Sequence, residues 1–443
     1  MRRATFLLVC LAGWLAQIAG AQTTITVGQG GGYDHSTIQA AIDAAATGDT
    51  VLVHPGTYRE NISFKGKNIT LRSTDPLSTP IVVPTSIDGN SSGSVVTFSG
   101  TEISSCVLSG FTITNGRARL GAGICGNGTR ATVQDNRITT NSSLGHSETY
   151  GAGIYDCDGM IQKNLISGNW IQGVHTTRGG GLGFCDGTIQ FNTITRNWVQ
   201  CNPPSGGVAR GGGLFMCNGI VQYNTISSNT ATGSEFTHGG GLAHCSGTIE
   251  HNTITGNQAY YGGGIRFSTG TLRSNFISGN HSTERGGGIN DFSGLVQHNT
   301  IVGNSSKVGG GLHFCDGVVT SNTITRNTAS ESGGGLSFCN GTVEQNLISS
   351  NTAYLAGGGI YDCHGTIQDN MITSNSTTDR RLEQEEGGGG IWGSHGTIRR
   401  NVIYGNGANG AADCTAAPAS SSTTQFCATG PSTAAGGSMA APA

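Results

Sequence analysis

A glycine triplet followed at a fixed distance by asparagine returns through the middle of this chain, and that return limits what the chain can fold into. The block GGGLGFCDGTIQFNTITRN begins at Gly179, and near-copies begin at Gly211, Gly239, Gly309 and Gly333. The last glycines of successive triplets, at 241, 264, 288, 311, 335 and 359, are 23, 24, 23, 24 and 24 residues apart. A period of this size belongs to a solenoid, in which one unit cannot bury its own apolar face and stacking creates the core. Three apolar beats recur in each unit, Leu182, Ile189 and Ile194 in one and Leu312, Val319 and Ile324 in another. Each sits in a short β-prone run bounded by glycine or asparagine, which reads as three short strands per rung. No run is long enough for the helix of a leucine-rich repeat, and the calcium-roll signature GGxGxD is absent. The repeat therefore predicts an all-β parallel β-helix.

Columns of equivalent positions sharpen this expectation. Eleven asparagines, from Asn136 to Asn401, each precede the third strand of a unit, and a second set from Asn141 to Asn406 lies five residues on. Asparagine tolerates the left-handed backbone of a tight corner. Stacked at about 4.8 Å, its amide can bond to the amide above and below. A ladder at the corners is expected in preference to a row of ligand contacts. A third column holds Cys157, Cys185, Cys217, Cys245, Cys315, Cys339 and Cys363, with Ser268, Phe292 and Ser394 on the other rungs. Small and apolar replacements fit a buried column, and no Cys/His spacing suits zinc. Neighbouring Cα atoms at the strand spacing fall inside disulfide range, but parallel stacking holds the Cβ atoms slightly too far apart, which favours free thiols.

Taken in order, residues 1–21 read as a cleavable export signal. Arg2 and Arg3 form its positive end, Phe6 to Ile18 its apolar stretch and Ala19-Gly20-Ala21 its cleavage site. Residues 22–116 read as a cap and irregular first rungs. Ser36-Thr37-Ile38-Gln39 resembles a capping box, and Ile38, Ala41, Ile42 and Ala45 share one face of a short helix suited to closing the open end of the coil. Residues 117–406 are the repeats. The longer turns all grow at one corner, between the second asparagine and the glycines, and include SSLGHSETY, IQGVHTTR, VQCNPPSGGVAR and STTDRRLEQEE; loops at a common corner project on one side. Residues 407–443, rich in Ala, Ser, Thr and Gly, read as a disordered tail in which Cys414 and Cys427 could close a small loop.

The segments TIQAAIDAAATGDTVLVHPGTYRENI and LSGFTITNG, followed by the glycine-rich repeats, resemble the pectin-lyase-like superfamily. The opening is similar to the amino-terminal end of pectin methylesterases, and the repeats to right-handed β-helix repeat proteins of bacterial surfaces and secretomes. The resemblance implies a single-stranded right-handed parallel β-helix. The catalytic motifs of pectin methylesterases, of polygalacturonases and of the main pectate lyase family are absent, so the resemblance speaks to fold and not to activity.

Charge narrows the partners. The net charge is −3, charged residues make up 11%, and the chain has four lysines, which does not suit nucleic acid. No apolar run beyond the leader could span a membrane. A local arginine row would still suffice for a polyanionic sugar. No motif calls for a cofactor. Asp158, Asp186 and Asp316 form a column that suggests Ca²⁺, but each precedes glycine, where turn chemistry accounts for it.

The second residue after each triplet should point outward, giving a column through Tyr155, Phe215, Arg266, Asn290, His313, Tyr361 and Trp392. Arg266, Asn290 and His313 fall on consecutive rungs, with Glu284 and Arg285 beside them. In the similar polysaccharide lyases this sheet carries the substrate groove. The chemistry that follows is β-elimination on an acidic polysaccharide. Arg266 or Arg285 would hold the uronate carboxylate, and His313 would take the C5 proton. Tyr155, Phe215, Asn290, Tyr361 and Trp392 would contact the sugars. The sequence thus predicts a secreted or cell-surface monomer that binds, and can cleave, an extracellular acidic polysaccharide. The alternative is a non-catalytic structural or adhesive rod.

Overall fold

The computed structural model describes residues 22–145, 148–201, 206–233, 236–379 and 387–407, together with the backbone of 414–415 and 426–428. The expected leader, the Cys414–Cys427 bridge and most of the tail lie outside the described residues.

The chain winds as a right-handed parallel β-helix of about 13 turns. Its strands stack in four long parallel sheets. In one representative turn, Leu312–His313 belongs to sheet I, Val318–Thr320 to sheet II, Thr323–Thr325 to sheet III and Thr328–Ser332 to sheet IV. Sheets II and III hold 15 strands each, sheet I 14 and sheet IV 10. The three expected strands per rung are thus joined by a fourth at the corner before the glycines. It escaped the apolar pattern because its inward residues on many rungs are small, as at Ala231, Ser282 and Ala329, all buried. The longer turns also depart from expectation. Glu148–Tyr150, Thr176–Arg178 and Val208–Arg210 pair into a three-stranded parallel sheet of their own instead of projecting only as loops.

Register is held from inside. Ile194, Ile226 and Ile254 lie directly over one another and are fully buried, each such side chain contributing about 1.5–3 kcal/mol. Both asparagine columns form continuous ladders. Asn192 donates from its backbone N–H and its Nδ2 to Oδ1 of Asn224, at 2.9 and 3.0 Å, while Nδ2 of Asn224 donates to the Ile189 carbonyl at 2.8 Å. The left-handed backbone expected at these asparagines belongs instead to the residue before each one. Phe191, Tyr223 and His251 have φ of 56°, 55° and 54°. That residue turns the chain, and the asparagine after it then points into the coil.

The cysteines of the third column are buried free thiols. They act as acceptors: Cys339 N–H donates to Cys363 Sγ at 3.2 Å, and Cys245 N–H to Ser268 Oγ at 3.1 Å. Serine therefore replaces cysteine without loss of the bond. Burial pushes the Cys157, Cys217 and Cys363 thiols up, away from reactivity. The glycine after the Asp/Asn turn is obligatory, because a Cβ on Gly187 would meet the Gly159 carbonyl oxygen at 2.0 Å.

At the amino-terminal end, helix α1 (Ile38–Ala44) lays Ile38, Ala41 and Ile42 against the first rungs. Its expected capping box does not form. The Glu60 carboxylate accepts from the N–H groups of Ile38 and Gln39, both at 2.9 Å, and the Lys67 ammonium donates to the carbonyls of Ile42, Asp43 and Ala45 at the other end. An anion at the N-terminus and a cation at the C-terminus both complement the helix dipole.

Candidate functional site

Three columns converge along sheet I to build a groove. The floor is the outward column of sheet I. One wall is the residue immediately before each glycine triplet, which runs Tyr150, Arg178, Arg210, His238, Tyr261 and Arg285 on successive rungs. The other wall is the residue immediately after each floor residue, held left-handed, as at Phe184, His244, Phe267 and Phe314, with φ of 58°, 56°, 48° and 52°. A left-handed backbone at a bulky residue is costly and uncommon. Here it recurs down one wall and sends a row of rings over the floor.

The floor is consequently less open than the strand alternation implies. Phe215, Asn290 and His313, expected to face solvent, are 1%, 2% and 1% exposed. The two flanking columns close over them. Phe215 packs edge-on against Phe184 and His244, and His313 against Phe338. Tyr155, Arg266, Tyr361 and Trp392 are half-buried and Arg285 is exposed. Arg266, Asn290 and Arg285 do come together, bounding with His238, Asp291 and Phe314 a cavity of about 550 Å³. His313 follows Asn290 on the next rung but lies beneath the surface. Its Nδ1 is 2.8 Å from Ser337 Oγ. Tyr155 lies four rungs from Arg266 in one direction, and Tyr361 four rungs in the other, so they belong to the same groove but not to the cavity. Glu284, placed beside this cluster by the sequence, pairs with Lys307 at 3.4 Å.

The groove is cationic and its cations are unpaired. Among the described residues, none of Arg178, Arg210, Arg266 and Arg285 has a carboxylate within ion-pair distance. Eleven buried side-chain nitrogen or oxygen atoms of the described residues lack a hydrogen-bond partner, and seven of them lie here: Arg178 Nε, Arg210 Nε, Arg266 Nε and Nη1, His238 Nδ1, His244 Nε2 and His313 Nε2. Buried polar groups are normally satisfied, so this concentration sets the groove apart from the rest of the described residues. The Arg266 guanidinium carbon lies 4.1 Å from the ring centroids of both Tyr261 and Phe267, a cation–π arrangement. Burial depresses this guanidinium to about 9, with Asp291 opposing, so it remains charged at neutral pH. Burial, then the nearby arginines, push His238 to about 2, His244 to about 4 and His313 to about 3, leaving all three neutral. Burial also raises the Asp291 carboxyl, against the pull of Arg266.

The wall before the triplets was missed in the sequence, although it is visible there as Arg, Arg, His, Tyr and Arg preceding five consecutive glycine triplets. The aspartate column behaves as turn chemistry. Asp158 Oδ1 accepts from the Asp186 N–H at 3.0 Å and Asp186 Oδ1 from the Asn218 N–H at 2.9 Å, so these carboxylates continue the ladders.

No family model matches the chain, and no curated protein matches it. A solved structure of a PL6 family polysaccharide lyase from Pseudopedobacter saltans is similar at 14% identity, with a TM-score of 0.25, over 81% of this chain and 90% of that one. A score this low supports no inference about activity.

Proposed function

We propose that this chain is a secreted or cell-surface member of the pectin-lyase-like proteins that binds an acidic polysaccharide in the arginine-lined groove, and that β-elimination is the reaction this groove can carry. The observation behind the reading is the set of unpartnered, partly desolvated guanidinium nitrogens of Arg178, Arg210 and Arg266 along one face. A carboxylate suits these donors. Charge-assisted bonds from arginine to carboxylate are the strong ones, and they strengthen away from water.

In the cavity, Arg266 and Arg285 hold the uronate carboxylate and stabilise the negative charge that develops on it as the C5 proton leaves. The C4–O glycosidic bond then breaks as the C4=C5 double bond forms, and the departing oxygen takes back the proton from the group that accepted it. The enclosed His313 cannot reach that proton. The lining groups able to accept it are Tyr261 and Asp291, the latter with its carboxyl raised by burial. His313 instead props the floor through Ser337. Tyr155, Tyr361 and Trp392 offer rings to sugars further along.

The test is incubation with polygalacturonate, alginate and glycosaminoglycans, following both binding and the absorbance of unsaturated uronate ends. Arg266→Ala is expected to weaken binding at least tenfold, and Tyr261→Phe or Asp291→Asn to stop cleavage while binding persists. Unchanged binding in Arg266→Ala rejects the site. If no polyanion is bound at all, the coil is a structural or adhesive rod.

A further inference from the structure

The arginines of the groove do not form one continuous strip. Arg178 and Arg210 are adjacent rungs of the wall, and Arg178 lies over Tyr150 and Phe215, at 5.5 and 5.2 Å from the ring centroids. Arg266 and Arg285 form the second group. Between the two groups the floor is Ala243, and rings from both walls meet above it. His238 from one wall and His244 from the other lie 5.1 and 5.2 Å from the Phe267 ring. Both imidazoles are neutral, so this bridge carries no charge. Along the wall ladder, Arg210 and Arg285 are three rungs apart, about 14 Å at the strand spacing.

We infer that the groove holds two separate anion subsites, one at Arg178 and Arg210 and one at Arg266 and Arg285, and that its ligand is an oligouronate long enough to place carboxylates in both across the uncharged bridge. This rests on the acidic-polysaccharide reading above and adds the length and spacing of the ligand. Each subsite alone offers two guanidinium groups, enough for weak capture of a short acidic sugar. A chain that reaches both converts the second contact into an intramolecular one, which raises affinity by about 10²–10⁴-fold without any new contact. The bridge suits the apolar faces of the intervening sugar rings.

The experiment is calorimetric titration of the whole protein with galacturonate and mannuronate oligomers from disaccharide to octasaccharide. Affinity is expected to rise by about a hundredfold at the length that first spans both subsites and then level off. In the double variant Arg178→Ala/Arg210→Ala, the long oligomers are expected to fall to the affinity of the disaccharide, the disaccharide to bind at one site where the parent offers two, and the melting temperature to be retained. Equal affinity for short and long oligomers overturns the two-subsite inference while leaving acidic-glycan binding intact. Binding of no oligomer at any length overturns both. The length series on the unaltered protein decides the matter even if the double variant does not fold.

Discussion

Nδ1 of His313 lies 2.8 Å from the hydroxyl oxygen of Ser337 on the next rung, while Nε2 of the same ring is buried and unpartnered. The ring is held neutral, its pKa pushed down to about 3 by burial and the nearby Arg285 and Arg266; His238 and His244 are pushed to about 2 and about 4. Each of these folded-state values is below the unfolded one, so between roughly pH 6.5 and the folded value the unfolded chain binds more protons than the native one. Stability is therefore complete above about pH 6.5 and is lost as the pH falls, by up to about 1.4 kcal/mol per pH unit for each histidine. Urea midpoints measured from pH 8 to pH 4 should fall, and the slope should be shallower by one proton in His313→Asn.

The asparagine ladders should be costly to interrupt. Asn224→Ala leaves the N–H of Asn192 without its acceptor and the Ile189 carbonyl without this donor, while Nδ2 of Asn192 keeps the carbonyls of Ile161 and Gln190. The loss of these buried bonds amounts to about 2 kcal/mol. Chemical denaturation should show this loss, whereas Arg196→Ala, one residue before Asn197 on an exposed corner, should change stability by about 0.5 kcal/mol or less.

Two glycines with different surroundings should respond differently. Gly187→Ala drives a methyl group to 2.0 Å from the Gly159 oxygen, with backbone on the other side of the contact, and is expected to prevent folding of the neighbouring rungs. Gly168 has φ of 63° and nothing near its missing Cβ, and the residues above and below it in the column include Thr140 and Arg196, also left-handed. Gly168→Asn should fold, at a cost of about 1 kcal/mol. Soluble yield and melting temperature separate the two.

The thiol column should be chemically silent. A thiol reagent is expected to leave Cys185, Cys217 and Cys339 unmodified until denaturant is added, as mass spectrometry of the labelled peptides will report. Cys339→Ser should stay within about 1 kcal/mol of the parent, since Ser268 and Ser394 already accept the same backbone bond elsewhere in the column. Large loss of stability in that variant would mean that sulfur packing, and not the accepted hydrogen bond, selects cysteine.

The inward face of this protein is readable from its letters because period enforces it. Ile194 and Asn192 recur at fixed places, and whatever recurs in a solenoid becomes a vertical neighbour. Sheet IV left only a broken trace, since Ile171 and Val199 are followed on later rungs by inward Ala231, Ala259 and Ser282 where an isoleucine would have continued the beat. The cap eluded local reading for a different reason. Glu60 lies 22 residues from Ile38, and no helix-start motif reaches that far. The groove was half legible. Arg266, Arg285 and Asn290 do share a cavity, but alternation alone made the floor look open. The rings at Phe267 and Phe314 cover it only because the backbone beneath them is left-handed, a conformation their residue type gives no reason to expect.

The ladders make separation along the groove a countable quantity. Excising residues 312–335, one whole 24-residue unit, would join Gly311 to Leu336 and bring Asn299 and Asn304 beneath Asn346 and Asn351, amide to amide as before. Every side chain beyond the splice would then draw nearer to Arg266 by one layer, and none would turn. Such a coil changes its reach in whole steps, and evolution can lengthen or shorten what it grasps by copying or dropping a unit without redesigning any contact.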